Sequence, residues 1–285
     1  VTRLQSADIN HIAANLEHYD RELFDRTGHS LSGIACRAAG IDDGRTKNIL
    51  PELRVSVVPI SSGEGIIRGF CEAVLSILLH MGCNASITLS ADVAGITESF
   101  KKRADILMMA DDERFVALHI QSHTIADNAV CTGQVYVTGL NLMAGGLKGR
   151  AVLVIGCGRV GSSAAESLIR AGARVSVYDI DSKSSNALAA AIRNRFDARI
   201  QVIDRLDAAL LRYKFIFDAS PASNIIYAQH ITPDTYVSAP GLPCGLNDEA
   251  KTAISKRILH DPLQLGVATM LVSVAKYHCG LQAEG

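Results

Sequence analysis

Residues 151–161 read AVLVIGCGRVG, an apolar run rich in β-branched residues and then glycines at 156, 158 and 161. No other feature of the chain constrains its fold as much. A short buried strand, a G-x-G-x-x-G turn and the start of a helical period describe the first βαβ unit of a dinucleotide-binding domain. In that unit Gly156 permits the tight turn, Gly158 lets the backbone approach a pyrophosphate, and Gly161 permits close helix–sheet packing. Amides at the start of the helix predicted over 159–172 then point at the phosphates, with the helix dipole behind them. The whole loop, Gly156, Cys157, Gly158, Arg159, Val160 and Gly161, is therefore the expected cofactor contact. The next strand-like run, RVSVYD, ends at Asp179. A carboxylate there accepts ribose hydroxyls and repels a 2′-phosphate, so NAD is expected rather than NADP. A residue that merely ends a strand is the bland alternative, and Arg159 and Lys183 are nearby cations that would soften the discrimination.

The fingerprint lies past the midpoint of 285 residues, which leaves room for a second domain before it. The apolar stripe Ile9, Ile12, Ala13, Leu16, Tyr19 and Leu23 predicts one amphipathic helix with Ser6 as its N-cap. Residues 38–54 have no period and read as a surface loop. Strand-like VSVVPI (55–60), the turn SSGEG (61–65) and a helical period from Ile66 follow. ASITL (85–89), DILMMA (105–110) and RFVALHI (114–120) read as strands and ITESFKKRA (96–104) as a helix. A helix is predicted over 129–144, with GGLKGR (145–150) as the linker. Beyond it, AVLVI, RVSVYD, RIQVI, KFIFDAS, TYVSAP and RILHDP alternate with helical segments as in a doubly wound parallel sheet, and 263–278 is helical again. The expected fold class is α/β: an N-terminal α/β substrate domain over 1–146, then a Rossmann-type NAD-binding domain over 147–285 that includes the C-terminal helix.

Net charge is −1 and no block of like charge occurs, so neither nucleic acid nor a membrane surface is an expected partner. The most apolar stretch, 73–83, is too short to span a bilayer and VTRLQSADIN has no signal-peptide core, which predicts a cytoplasmic protein acting on a small molecule. Cysteines 36, 71, 83, 131, 157, 244 and 279 are scattered and suit buried thiols. His119 and His123 are four apart, but on a strand-like run, and no metal is expected. A homodimer is the assembly considered, although an interface face and a core face read alike in sequence.

Chemistry in such proteins gathers in loops after strands. SSGEG suits an anion such as a carboxylate held on backbone N–H groups, or is an ordinary helix cap. Asp111 and Asp112 are adjacent acids after a buried strand, either holding an ammonium and transferring a proton, with the pKa of Asp111 raised toward neutrality, or forming a solvated turn. Asp127 and Asn128 are a helix cap or a polar wall, and His260 stands beside Asp261 at a strand end.

Taken together, VVPISSGEGII (57–67), ILMMADDERFVA (106–117), VCTGQVYV (130–137), IFDASPASN (216–224), SAPGLPC (238–244) and DPLQLGVATML (261–271) resemble the pyrrolysine synthase (PylD) family over nearly the whole chain. The resemblance implies NAD-dependent oxidation of the terminal amine of L-lysine-Nε-3-methyl-D-ornithine, ammonia release and ring closure to L-pyrrolysine. It places Ser61, Ser62 and Gly63 at the substrate, Asp111 and Asn128 toward the reacting amine, and Leu4 where the first helix closes over the ligand. It makes Ser220 and Pro221 cofactor contacts and Asp261 a catalytic group, one methylene shorter than the family's glutamate. Shikimate-type or methylenetetrahydrofolate-type dehydrogenases are the rivals; both use a lysine in the first half, where Lys101, Lys102 and Lys148 read as solvated charges. A non-catalytic NAD-sensing module would need a partner surface such as a basic recognition helix, and no cationic cluster supplies one.

Overall fold

The structure is a computed structural model and describes residues 4–276. It divides the chain into two compact units. Among the described residues, 4–25, 29–131 and 262–276 form the first; 132–261 with 26–28 form the second.

In the first unit the expected single N-terminal helix is two, α1 (Ser6–Ile9) and α2 (Ile12–Thr27). The N-cap of α1 is Gln5, whose N–H is accepted by Asp8, so Ser6 is already helical. Ile9, Ile12, Leu16 and Leu23 are buried, as the stripe requires. Next come α3 (Leu31–Ala39), capped by the Ser30 hydroxyl, and α4 (Asp43–Ile49), capped by Asp42. The second of these, with a short 3₁₀ turn over Leu50–Glu52, replaces the expected surface loop. Ile41, Thr46, Leu50 and Leu53 turn inward there; a helix of about two turns is too short for a periodic signal, though the Asp42 cap was readable.

The first sheet runs in the order β2-β1-β3-β4-β5. β1 (Arg54–Val58) pairs in parallel with β2 and β3; helix α5 (Phe70–His80), β2 (Asn84–Ile87) and α6 (Asp92–Lys101) lie between them in sequence. β3 (Ile106–Ala110), β4 (Phe115–His119) and β5 (Thr124–Asp127) are antiparallel, with Met108 opposite Ala117 and Val116 opposite Asp127. Helix α5 begins at Phe70 and not at Ile66, so SSGEG is a free-standing turn and not a helix start.

Helix α7 (Asn128–Met143) crosses from one unit to the other, the division falling between Cys131 and Thr132. That corrects the boundary expected at 146/147. GGLKGR is not a linker: Leu147 is fully buried, its N–H donates to Asn141 Oδ1 (2.8 Å), and Arg150 donates to the Ala144 carbonyl (2.8 Å).

The second unit is an all-parallel sheet in the order β11-β10-β9-β6-β7-β8. Its elements are β6 (Ala151–Ile155), α8 (Arg159–Arg170), β7 (Arg174–Tyr178), α9 (Ser182–Phe196), β8 (Gln201–Val202), α10 (Leu206–Leu210), β9 (Phe215–Asp218), β10 (Tyr236–Ser238), α11 (Asp248–Ala253) and β11 (Ile258–Leu259). Val152, Leu153, Val154 and Ile155 are all buried, as a strand covered on both faces must be. The strand order reverses between β6 and β9.

Helix α12 (Gln264–Ala275) belongs to the first unit and not, as expected, to the dinucleotide domain. All its residues but Ser273 are buried, and it packs on α3, α5, β4 and β5. A helix apolar all round needs enclosure, and chain order cannot say by what. Among the described residues no helix is long and apolar enough to cross a membrane. The six described cysteines are buried and free, with burial pushing Cys83 and Cys157 up to about 12; Cys279 lies outside the described residues.

Candidate active site

The candidate site residues fall in polar clusters in each of the two units. In the second unit the fingerprint loop joins β6 to α8. Gly156 has φ +86°, and a Cβ on it would lie 2.9 Å from the Ala219 carbonyl carbon and 3.0 Å from the Ser220 nitrogen. A Cβ on Gly161 would collide with the Gly156 carbonyl, whereas nothing lies within 4 Å of one on Gly158. No side chain caps α8, whose N-cap is Gly158. Asp179 follows β7, accepting the Cys157 N–H (2.7 Å) and the Asp181 N–H (3.0 Å). An uncapped helix start, an open glycine and a carboxylate fixed beside the loop are what a dinucleotide requires, so the residues present fit one.

The turn that closes on Gly156 is Asp218-Ala219-Ser220-Pro221. Ser220 is buried and Pro221 exposed. Asp218, which the sequence reading passed over, is completely buried. Its Oδ1 accepts the Ser220 N–H (3.0 Å) and hydroxyl (2.7 Å). A Cβ on Gly241 would collide with the Ser220 carbonyl and one on Gly245 with Asp218 Oδ2, so these two glycines let the loop between β10 and α11 close on the turn.

Asp261 lies just beyond β11, buried. The Tyr136 hydroxyl of α7 is 2.8 Å from Asp261 Oδ2, and the Asp261 N–H donates to it at 2.8 Å. Burial first, and then the Asp261 charge, push the Tyr136 phenol well above its ordinary range, so it stays protonated and donates. Ser238 in turn donates to the Tyr136 carbonyl (2.9 Å). His260 Nδ1 is 2.7 Å from the Ala239 carbonyl, an arrangement that leaves Nε2 as the ring acceptor.

In the first unit the SSGEG turn is held by carboxylates of the chain itself. Ser61 donates its N–H to Asp92 (2.8 Å) and its hydroxyl to the same carboxylate. Gly63 has φ +68°, and a Cβ on it would collide with Asp112, which accepts the Glu64 N–H at 2.7 Å. The turn was expected to hold an anion on its amides; in the structure its Glu64 N–H meets a carboxylate of the chain itself, Asp112. Ser62 closes the turn by accepting the Gly65 N–H (3.3 Å).

Asp111 departs from expectation. It is exposed, and its Oδ1 accepts the N–H groups of Arg114 (2.7 Å) and Glu113 (2.9 Å). Those bonds, that of Arg114 foremost, hold its carboxyl below the usual range, where a pKa raised toward neutrality was expected. Asp127 settles as a cap: it accepts the Ala129 N–H (3.0 Å) and pairs with Arg114 (3.1 Å). Asn128, half-buried, directs Nδ2 at the Met270 sulfur of α12 (3.3 Å). Leu4, also half-buried, precedes α1. His119 is buried and accepts from the Ser122 N–H (3.1 Å), a structural use of that ring.

Sequence reasoning missed Asp92, Tyr136 and Asp218. Asp218 alone left a readable signal, an acid ending an otherwise apolar strand, FIFD.

Comparison with known proteins gives two family models that meet at 126/127. Residues 8–126 match the pyrrolysine biosynthesis protein PylD N-terminal domain, and 127–236 the alanine dehydrogenase/PNT C-terminal domain. The chain is 30% identical over 269 residues to a pyrrolysine synthase of Methanosarcina barkeri, covering 94% of this chain and 95% of that protein. It is 29% identical over 267 residues to one of Methanosarcina acetivorans, covering 91% and 97%. Among solved structures, shikimate 5-dehydrogenase of Listeria monocytogenes, in complex with shikimate and NAD, superposes with a TM-score of 0.54 at 9% identity, over 79% of this chain and 92% of that one. At that identity the likeness is one of fold alone.

Proposed function

The chain belongs to the PylD family of pyrrolysine synthases, nicotinamide-dependent oxidoreductases of pyrrolysine biosynthesis, and from that premise we propose that it carries out the last step of the route. The substrate is L-lysine-Nε-3-methyl-D-ornithine. A bound NAD supplies the hydride acceptor for the carbon bearing the terminal amine. The iminium left behind adds water and loses ammonia to give an aldehyde, and the α-amine of the same ornithine condenses with it, returning the water and closing the ring. The observation that carries this reading is similarity to the Methanosarcina barkeri enzyme through both halves of the chain, 95% of that enzyme's length.

The chain's own residues divide the work as follows. The open start of α8 takes the pyrophosphate, and Asp179 takes the ribose hydroxyls, which favours NAD over NADP. Ser220, whose backbone nitrogen borders Gly156, and Pro221 after it contact the cofactor beyond the fingerprint. Ser61, Ser62 and Gly63 form the turn that receives the substrate carboxylate, an anion for which Asp112 stands in here. Asp111 is ionised across the physiological range and attracts the substrate ammonium. It serves as an anchor, because a carboxyl held below its ordinary range is a poor proton acceptor. Asn128 faces the amine, and Leu4 covers the ligand as the first helix closes. Asp261, oriented by Tyr136, takes the proton that the amine must lose before hydride can leave.

The test is NADH formation across a panel of the lysine–methylornithine isopeptide, simple primary amines, shikimate and other hydroxy acids. Turnover confined to the isopeptide is expected. Turnover of shikimate, or of none of them, would overturn the reading.

A further inference from the structure

Asp218 closes β9, and β9 and β6 are the neighbours at which the strand order reverses. Doubly wound sheets receive their ligand beyond the carboxyl ends of the strands at that point. The side chain is fully buried, and its two oxygens have different fates. Oδ1 is satisfied by Ser220. Oδ2 has no hydrogen-bond partner and is the one buried side-chain atom so placed among the described residues.

The surroundings supply it no positive charge. Gly245 and Ile225 pack on the Oδ2 side, Gly241 packs on the Ser220 carbonyl, and Gly156 packs on the Ala219–Ser220 peptide. Of the groups that face it, Ser220 is a hydroxyl and Cys244 a thiol whose own pKa is raised by burial; Lys251 of α11 acts on that thiol. No cation lies among the causes that shift Asp218, whose carboxyl burial pushes up to about 6 against hydrogen bonds from Ser220 and from the Gly245 backbone. An asparagine would fill the same space without the cost of an uncompensated buried charge. A carboxylate kept here at the switch point has use for a positive charge from outside the chain.

We propose that Asp218 is the counter-charge to the oxidised nicotinamide, favouring the cationic form of the bound dinucleotide over the neutral reduced form. The inference rests on the dinucleotide reading above and adds an electrostatic residue to it. By linkage, the cationic ring draws the proton from Asp218 and the neutral ring lets it return from solvent. The ratio Kd(NADH)/Kd(NAD+) then rises with pH as Asp218 ionises.

Both constants can be measured on the full chain from pH 5 to 8, NADH by its own fluorescence in a protein that has no tryptophan, NAD+ by calorimetry. The ratio is expected to rise about tenfold through a midpoint near pH 6. Asp218→Asn should make it flat. Ser220→Ala should move the midpoint to higher pH, because the lost hydroxyl stabilised the carboxylate. If Asp218→Asn does not fold, the wild type and Ser220→Ala decide. A flat ratio in the wild type, or an unchanged slope in Asp218→Asn, would overturn this inference alone. Failure of both nucleotides to bind at every pH would overturn the dinucleotide reading with it.

Discussion

Asp111 follows the carboxyl end of β3 and Asp218 closes β9, and each accepts N–H groups of the turn that it begins. The turns are alike and their electrostatics are opposite. Asp111 is exposed, so its backbone bonds lower its pKa; Asp218 is enclosed, so desolvation overrides the same kind of bond and raises it to about 6. One carboxylate is a permanent charge and the other exchanges its proton near neutrality. What separates them is how much chain lies over the strand end, which no local pattern records.

The largest expected effect breaks the division of labour between anchor and base. Asp261→Asn should lower kcat by about 10²–10⁴-fold, the usual worth of a general base. Asp111→Asn should leave kcat within about tenfold and raise KM. The reverse pattern in steady-state kinetics would move the base to Asp111.

Gly161→Ala and Gly158→Ala sharpen the contrast between packing and binding within one loop. A methyl group at 161 meets the Gly156 carbonyl and should cost about 3 kcal/mol of stability, at the upper end for overpacking. At 158 it meets nothing within 4 Å, so the melting temperature should hold while NAD affinity falls. Equal melting temperatures for the two variants would contradict this account of the loop.

The Asp218 comparison has a sign in stability as well. Its pKa is raised from 3.8 to about 6 on folding, so the folded chain binds the extra proton between those values. This group's contribution is therefore most favourable at low pH and is lost as pH rises through about 6. Two units at ~1.4 kcal/mol each put the penalty near neutrality at about 3 kcal/mol, an upper figure. Asp218→Asn should gain stability over wild type as pH rises from about 5 toward about 7 in chemical unfolding and level off above; a difference constant over that range would show Asp218 already ionised in the folded chain at about pH 5. Smaller still, kcat/KM for NAD should exceed that for NADP by at least about tenfold, ~1.4 kcal/mol, and Asp179→Ser should erase the preference. Equal use of both by the wild type would remove Asp179 from recognition.

The fingerprint was legible because its residues are consecutive and two of its glycines, Gly156 and Gly161, have a local steric reason. The strands β6 and β9 were legible from unbroken apolar runs, and β7 from Val175, Val177 and Tyr178 around one serine. The turn at 61–65 was half legible: its amides do hold an anion, but Asp112 supplies it from 48 residues along the chain. Tyr136 and Asp261 are 125 residues apart and neither sequence neighbourhood hints at the other. Helix α12 shows the same limit for packing, since its uniform apolarity demanded a surrounding without naming the unit that provides it.

The central claim is a chemical product. Purified protein should be incubated with L-lysine-Nε-3-methyl-D-ornithine and NAD+, the products followed by mass spectrometry and NADH by absorbance. Pyrrolysine and NADH in equal amounts, with one ammonia released for each, is the predicted result. NADH without pyrrolysine, or no product from material that the Methanosarcina barkeri synthase converts, would contradict it.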